Sequence, residues 1–328
     1  MPRMGISYPI AIVLILLFAF FLRVVDLEHM PPFVVPDGAN LALYSQTVLR
    51  GDVPWYGVRA DGDTNWSFLE FASYRLFGDD LFALRITISF WSMLALAAAY
   101  YGINQMFGAR VAIYASFLMA VSHLLVHFGR AETIVLPSIF TSFLSVGIFL
   151  RARRWQGGAR PRLALYALAG ALLASNLYQY AAAKSVFFAI AALWLCALPL
   201  RRGAQRGFLA DTLCLASGLL LVAAPILVWY LQQPVSLLSR AEILSVFNPR
   251  NLAINTRLYG AVDTPMLLVG QTLRSLGGFA FTWDTSPNYH IQAALLDPGS
   301  AVLLLPGLVL ALRRRAALTL SIDRKSVV

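Results

Sequence analysis

The chain has 328 residues, 59% of them hydrophobic and 13% charged, against about 45–50% and about 25% in an average soluble domain. These proportions exclude a soluble globular fold and predict a multi-pass membrane protein. A net charge of +10 would point to nucleic acid in a soluble chain. In a membrane protein the placing of the charges carries the information, and no nucleic-acid partner is expected. Cys196 and Cys214, the two cysteines, lie in apolar runs; this excludes a disulfide framework and reads as small core residues.

A bilayer span takes about 20 apolar residues. Apolar runs fall at residues 6–22, 86–104, 111–128, 133–150, 163–181, 183–199, 212–230 and 299–312, which predicts an all-α polytopic bundle of about eight spans. The first run leads directly into Arg23-Val24-Val25-Asp26 with no small-residue cleavage site, so it reads as a retained anchor. With a cytoplasmic N-terminus, the inner loops carry Arg3, Arg110, Arg151, Arg153, Arg154, Arg160, Arg162, Arg201, Arg202, Arg206, Arg313, Arg314 and Arg315 against Asp211 alone. The outer segments carry eleven Lys or Arg and fourteen Asp or Glu. That asymmetry fits the positive-inside rule and predicts a plasma-membrane protein with two long outer loops, 23–85 and 231–298. Within the second loop, the apolar stretch 264–281 is interrupted by Gln271, Arg274 and Gly277-Gly278. It is expected to be a helix lying on the membrane surface, because counting it as a span would put Arg313, Arg314 and Arg315 outside.

The last six residues, 323–328, continue no earlier pattern. They back-translate to GATCGGAAGAGCGTCGTG, the start of a common sequencing-adapter oligonucleotide. The membrane domain is therefore expected to occupy residues 1–322 of a gene that runs on past Ile322, making the chain a fragment; the alternative is a genuine short basic tail.

Charges at the outer face are the candidates for chemistry, since ionisable groups near lipid are costly to hold. Asp37, in Pro36-Asp37-Gly38, opens a helical-looking segment that runs to Leu49 and ends at Arg50-Gly51; from spacing it reads either as an N-cap or as a functional carboxylate. Arg130 and Glu132 sit in the turn between the third and fourth spans, either as a snorkelling pair or facing a phosphate-containing ligand. Lys184, at the next outer turn, either snorkels or binds a lipid phosphate as a point charge. The segment from Trp283 to His290 interleaves aromatic residues with Asn288 and Asp284, the composition of a sugar-contacting surface, with a hydrogen-bonded loop histidine as the plainer reading of His290. No metal-ligand spacing, phosphate loop or serine-nucleophile motif occurs.

Taken in order along the chain, these pieces resemble the membrane-embedded glycosyltransferases of the C superfamily, especially the bacterial relatives of protein O-mannosyltransferases and of lipid A aminoarabinose transferases. The resemblance rests on Pro36-Asp37, Leu49-Arg50-Gly51, Leu76-Phe77-Gly78 with Phe82-Ala83-Leu84-Arg85, and Val121-Ser122-His123 with His127-Phe128-Gly129-Arg130. It continues through Tyr178-Gln179-Tyr180 with Lys184, and Asn288-Tyr289-His290 with Leu296-Asp297-Pro298. It implies transfer of a monosaccharide from a polyprenyl-phosphate-linked donor to a lipid, glycan or protein acceptor at the outer face of a bacterial inner membrane. Asp37 would act as general base, Arg130, Lys184 and Arg274 would neutralise the departing phosphate, and His290 and Asn288 would contact sugar or phosphate. The chain departs from the family at Gly38, where relatives often carry Glu, at Asn65-Trp66, where many have Glu-Pro or Lys-Pro, and at Lys184, where they tend to carry Arg. No cofactor is identified, and a divalent metal held by outer carboxylates stays open. The alternative function is a non-enzymatic transporter or a membrane protein that binds a lipid-linked sugar; transporters place ionisable groups near the bilayer midplane, whereas here they cluster at the ends of spans.

Overall fold

A computed structural model describes residues 7–52, 68–78, 80–131, 135–195, 205–232, 245, 247–259, 264–281 and 293–324; the side chains of Asp37 and Glu70 lie outside that description. All described elements are helices: α1 (Tyr8–Val24), α2 (Pro36–Leu49), α3 (Phe68–Phe77), α4 (Leu81–Phe107), α5 (Ala109–Val121), α6 (His123–Phe128), α7 (Leu136–Arg153), α8 (Ala159–Ser175), α9 (Val186–Leu195), α10 (Gln205–Gln232), α11 (Pro249–Tyr259), α12 (Thr264–Gly278) and α13 (Pro298–Arg324). Two compact units result, one of residues 1–121 and 125–252, the other of residues 122–124 and 253–328.

In the first unit α4 is the central helix, packed against α1, α3, α5 and α7, and the layer continues from α7 to α8 and from α8 to α10. Its 27 residues reach about 40 Å. Asp80 caps its start by accepting from the Ala83 N–H at 2.8 Å, and Gly108, at φ +89°, ends it. Both α4 and the stretch 207–232 of α10 are long and apolar enough to cross a bilayer. Large apolar side chains cover the outside of the unit, among them Ile10, Leu14 and Phe21 of α1 and Leu213, Leu221 and Leu231 of α10. Ser89, Ser92 and Ala95 of α4 are buried instead. Small and polar residues inside with large apolar ones outside is the arrangement a lipid solvent selects.

Close approaches of backbone set the helix crossings. A Cβ on Gly218 of α10 would lie 1.9 Å from the Ala167 carbonyl oxygen of α8, and one on Gly170 of α8 would lie 2.0 Å from the Leu215 carbonyl oxygen of α10. Only glycine permits that contact. On the other flank of α8, Phe149, Tyr166 and Trp194 meet edge to face at 5.5–5.8 Å between centroids, joining α7, α8 and α9, and Trp194 stacks on Phe208 of α10 at 4.5 Å. Arg162 and Asp211 pair at 3.1 Å between α8 and α10, so the lone acid predicted among the inner arginines has a partner.

Two polar contacts repair broken backbone. Pro225 interrupts α10, and the Tyr178 hydroxyl enters the gap, donating to the Val222 carbonyl at 2.8 Å and accepting from the Ile226 N–H at 3.2 Å. Such insertion satisfies groups that lipid cannot. Beyond the end of α8, fully buried Asn176 accepts from Thr141 Oγ1 at 2.9 Å and Ser142 Oγ at 3.0 Å, and donates to the Leu172 and Leu173 carbonyls.

The expected run 111–128 is two helices, α5 and α6, parted at Ser122. The run 183–199 opens with a 3₁₀ turn, Ala181–Ser185, before α9. In the second unit α12 occupies the stretch expected to form a surface helix, with Leu267 buried and Met266, Val269, Leu273 and Leu276 exposed. The chain returns so that the Leu295 and Leu296 N–H groups donate to the Gly278 and Phe279 carbonyls. Asp297 then caps α13, accepting from the Ser300 N–H at 2.9 Å and hydroxyl at 2.6 Å. Those two bonds hold its carboxyl below the ordinary range, so its capping contribution is present at neutral pH and fades as the pH falls through the lowered value. The last helix runs through Ile322 to Arg324.

Gly218→Leu should drive α8 and α10 apart, because overpacking costs roughly 1–3 kcal/mol and the atom in the way is backbone. Thermal unfolding of purified protein in detergent should show a lower midpoint; an unchanged midpoint would contradict the close crossing.

Candidate functional site

The segment between α1 and α2 is held by arginines. Arg85, on the second turn of α4, is 1% exposed. Its Nη1 donates to the Leu27 and Glu28 carbonyls at 2.9 and 3.1 Å, and its Nη2 to the Pro31 and Phe33 carbonyls at 2.8 and 3.0 Å. A guanidinium offers four terminal N–H donors in a fixed fork, and each of these meets a carbonyl. Arg23, also 1% exposed, donates from Nε to Ser92 Oγ at 2.6 Å and from Nη1 to the Ala19 and Ala120 carbonyls at 2.9 and 3.1 Å. Arg130 donates from Nη1 to the Leu22 carbonyl at 2.9 Å and from Nη2 to the Asp26 and Met30 carbonyls at 3.3 and 3.2 Å.

Helix ends explain the pattern. The last four carbonyls of a helix have no partner within it, and cations are favoured there by the macrodipole. Leu22 is at the end of α1 and Ala120 at the end of α5, so Arg130 and Arg23 satisfy orphan carbonyls. This gives the physical reason for the break at Ser122, since the α5 terminus is capped from a different helix. Gly129 makes the knot possible: a Cβ there would sit 2.8 Å from Ser92 Oγ and 2.9 Å from Arg23 Nε, and its carbonyl accepts from Ser89 Oγ at 2.9 Å. Burial lowers the Arg130 pKa; the Asp26 carboxylate opposes that shift and Arg85 adds to it.

Val35 is fully buried and its carbonyl accepts from the Ala39 N–H at 3.1 Å. The helix α2 starts at Pro36, a favoured first residue because its missing N–H has no partner to lose. Asp37 is therefore the second residue of the helix, and Val35 is the residue that precedes the helix, so the N-cap reading of Asp37 is replaced by a place inside the first turn. Gly38 is buried. Lys184, half-buried, sits in the 3₁₀ turn between α8 and α9. Arg274 is exposed on α12, in the second unit. Glu132, Asn288 and His290 lie outside the described residues. His127 packs beside Phe33 at 6.2 Å, and His123 Nε2 donates to the Ala294 carbonyl at 2.9 Å within the second unit. Among the described residues no three His, Cys, Asp or Glu side chains gather to hold a metal.

Sequence reasoning missed the parts played by Arg23 and Arg85. Both are charges inside or abutting apolar runs, which is a signal in itself: a guanidinium there needs several acceptors.

No protein-family profile and no curated protein sequence matches the chain. Among solved structures, the crystal structure of ArnT from Cupriavidus metallidurans bound to undecaprenyl phosphate is similar in fold, with a TM-score of 0.51 over 92% of this chain at 13% identity. The chain spans 58% of the length of that structure. At that identity the likeness is one of fold: the all-helical arrangement of the described residues is shared with that structure.

Arg85→Met should free four carbonyls at once, each costing about 1–3 kcal/mol if left buried without a donor. Hydrogen exchange should then show lost protection over residues 27–39 while α8 and α10 keep theirs. Unchanged protection at 27–39 would contradict the clamp.

Proposed function

We propose that the chain carries the membrane part of a glycosyltransferase that moves a monosaccharide from a polyprenyl-phosphate-linked donor to a lipid, glycan or protein acceptor at the outer face of the membrane. The observation that carries this reading is the shared fold with a protein crystallised with undecaprenyl phosphate, together with a rigidly held segment that leads into Asp37.

In this reading Asp37 accepts the proton of the acceptor hydroxyl. The acceptor oxygen bonds to the anomeric carbon as the bond from that carbon to the phosphate oxygen breaks, and the electron pair departs with the polyprenyl phosphate. One displacement inverts the anomeric configuration. Arg130 contributes mainly through its charge, since both of its terminal nitrogens already hold carbonyls; a fixed charge in a water-poor site stabilises a departing phosphate without reorganising. Lys184 supplies a further cation, and Glu132 contacts sugar, acceptor or phosphate. The fixed loop restricts where the acceptor can stand, which is the positional part of catalysis. A cytoplasmic N-terminus, with its positive-inside charge asymmetry, puts this end of the bundle on the outer side.

Purified full chain in lipid vesicles, given a panel of polyprenyl-phosphate sugars together with lipid, glycan and peptide acceptors, should release polyprenyl phosphate from one donor as the sugar joins an acceptor, read by thin-layer chromatography. Asp37→Asn should slow release at least about 100-fold, the scale of lost general-base catalysis, with unchanged circular dichroism. A wild-type rate in that variant would remove Asp37 from the mechanism, and no release from any donor by the unaltered chain would count against transfer.

A further inference from the structure

At the opposite, arginine-rich ends of α7 and α8, an open cleft of about 430 Å³ runs along α7 between α4 and α8, within the range of about 300–1,000 Å³ usual for ligand sites. Tyr101, Leu144, Ile148, Leu165 and Leu168 make its walls, and Arg151 stands in its lining with Trp155. From Leu144 to Arg151 the α7 wall extends about 10 Å. This cleft belongs to none of the chemistry above.

Charge selects the occupant. Residues 151–162 hold Arg151, Arg153, Arg154, Arg160 and Arg162 and no acid. Arg154 donates to the Gln105 carbonyl and Arg162 is paired with Asp211, whereas exposed Arg151 has no partner among the described residues. Leu168 in the wall is itself exposed, which fits a lipid environment, and a tryptophan beside arginine is the composition of a membrane-water boundary. Arginine meets phosphate with a planar two-donor fork, and basic recesses between spans are suited to anionic headgroups.

We infer that this cleft seats one anionic phospholipid, its acyl chain against Leu144, Ile148, Leu165 and Leu168 and its phosphate on Arg151. The seat is independent of the transfer reading. It holds a structural lipid at the end of the bundle away from Asp37, where it ties α4, α7 and α8 together.

Native mass spectrometry of the full chain, titrated with phosphatidylglycerol and phosphatidylcholine of identical acyl chains, tests the inference. Phosphatidylglycerol should bind about tenfold more tightly, because the choline ammonium of phosphatidylcholine offsets the charge its phosphate presents to Arg151. Arg151→Gln should abolish that preference, Arg151→Lys should keep most of it, and Arg110→Gln should leave it intact. Leu165→Trp, which fills the cleft, should weaken phosphatidylglycerol binding. Each variant is compared at wild-type helicity and elution volume, and Arg151→Lys against the unaltered chain still decides if Arg151→Gln fails to fold. Equal binding of the two lipids, a preference that survives Arg151→Gln, or displacement of phosphatidylglycerol by inorganic phosphate alone would overturn the seat; so would a stable dimer that buries the cleft and excludes lipid.

Discussion

A guanidinium buried in an apolar bundle must find acceptors, and Arg85 finds four backbone carbonyls between Leu27 and Phe33. The rest of the candidate site depends on that exchange. A loop at a membrane boundary has carbonyls that neither lipid nor regular structure satisfies; an arginine has more donors than any other side chain. Each removes the other's desolvation cost, and the result is a segment with a fixed path into α2. Arg130 and Arg23 extend the same principle to the ends of α1 and α5, where carbonyls and a hydroxyl accept from them.

The remainder of the first unit makes that knot rigid. Gly170 and Gly218 bring α8 and α10 to backbone contact, Tyr178 fills the gap that Pro225 opens, and Asn176 gathers hydroxyls from α7. None of these contacts draws on a hydrophobic driving force, which is weak between helices in lipid. They are close packing and hydrogen bonds, while many large apolar side chains, Phe21, Leu213 and Leu221 among them, face outward.

Much of this was legible in the sequence, for local reasons. Apolar runs predicted α1 and α7 to within about three residues and overlapped α4, α8, α10 and α13, because a span is written as a continuous stretch, although α10 starts well before its run and α13 continues well past its own; the helix at 264–278 was visible through its interruptions at Gln271 and Arg274. What depends on distant partners was not legible. Nothing near Arg85 in sequence says that its acceptors lie 52–58 residues earlier, nor does residue 122 announce that the α5 end is capped by Arg23. Gly170 and Gly218 look like ordinary span glycines until their helices are opposed. Asp37 was visible as a helix-start acid, but Pro36 takes the first helical position and moves it from the cap into the first turn. Arg130 and Lys184 were found from their places at successive turns, and the carbonyl bonds of Arg130 give that arginine a structural task beside its electrostatic one.

In the proposed transfer, the arginine-held end of the bundle receives a lipid-linked phosphate beside Asp37. An experimental structure of the full chain in nanodiscs with undecaprenyl phosphate tests it most directly. The phosphate should lie next to the first turn of α2, within reach of the field of Arg130, with residues 27–33 still bound to Arg85. A phosphate bound elsewhere, or a first loop released from Arg85 when the lipid is present, would contradict it.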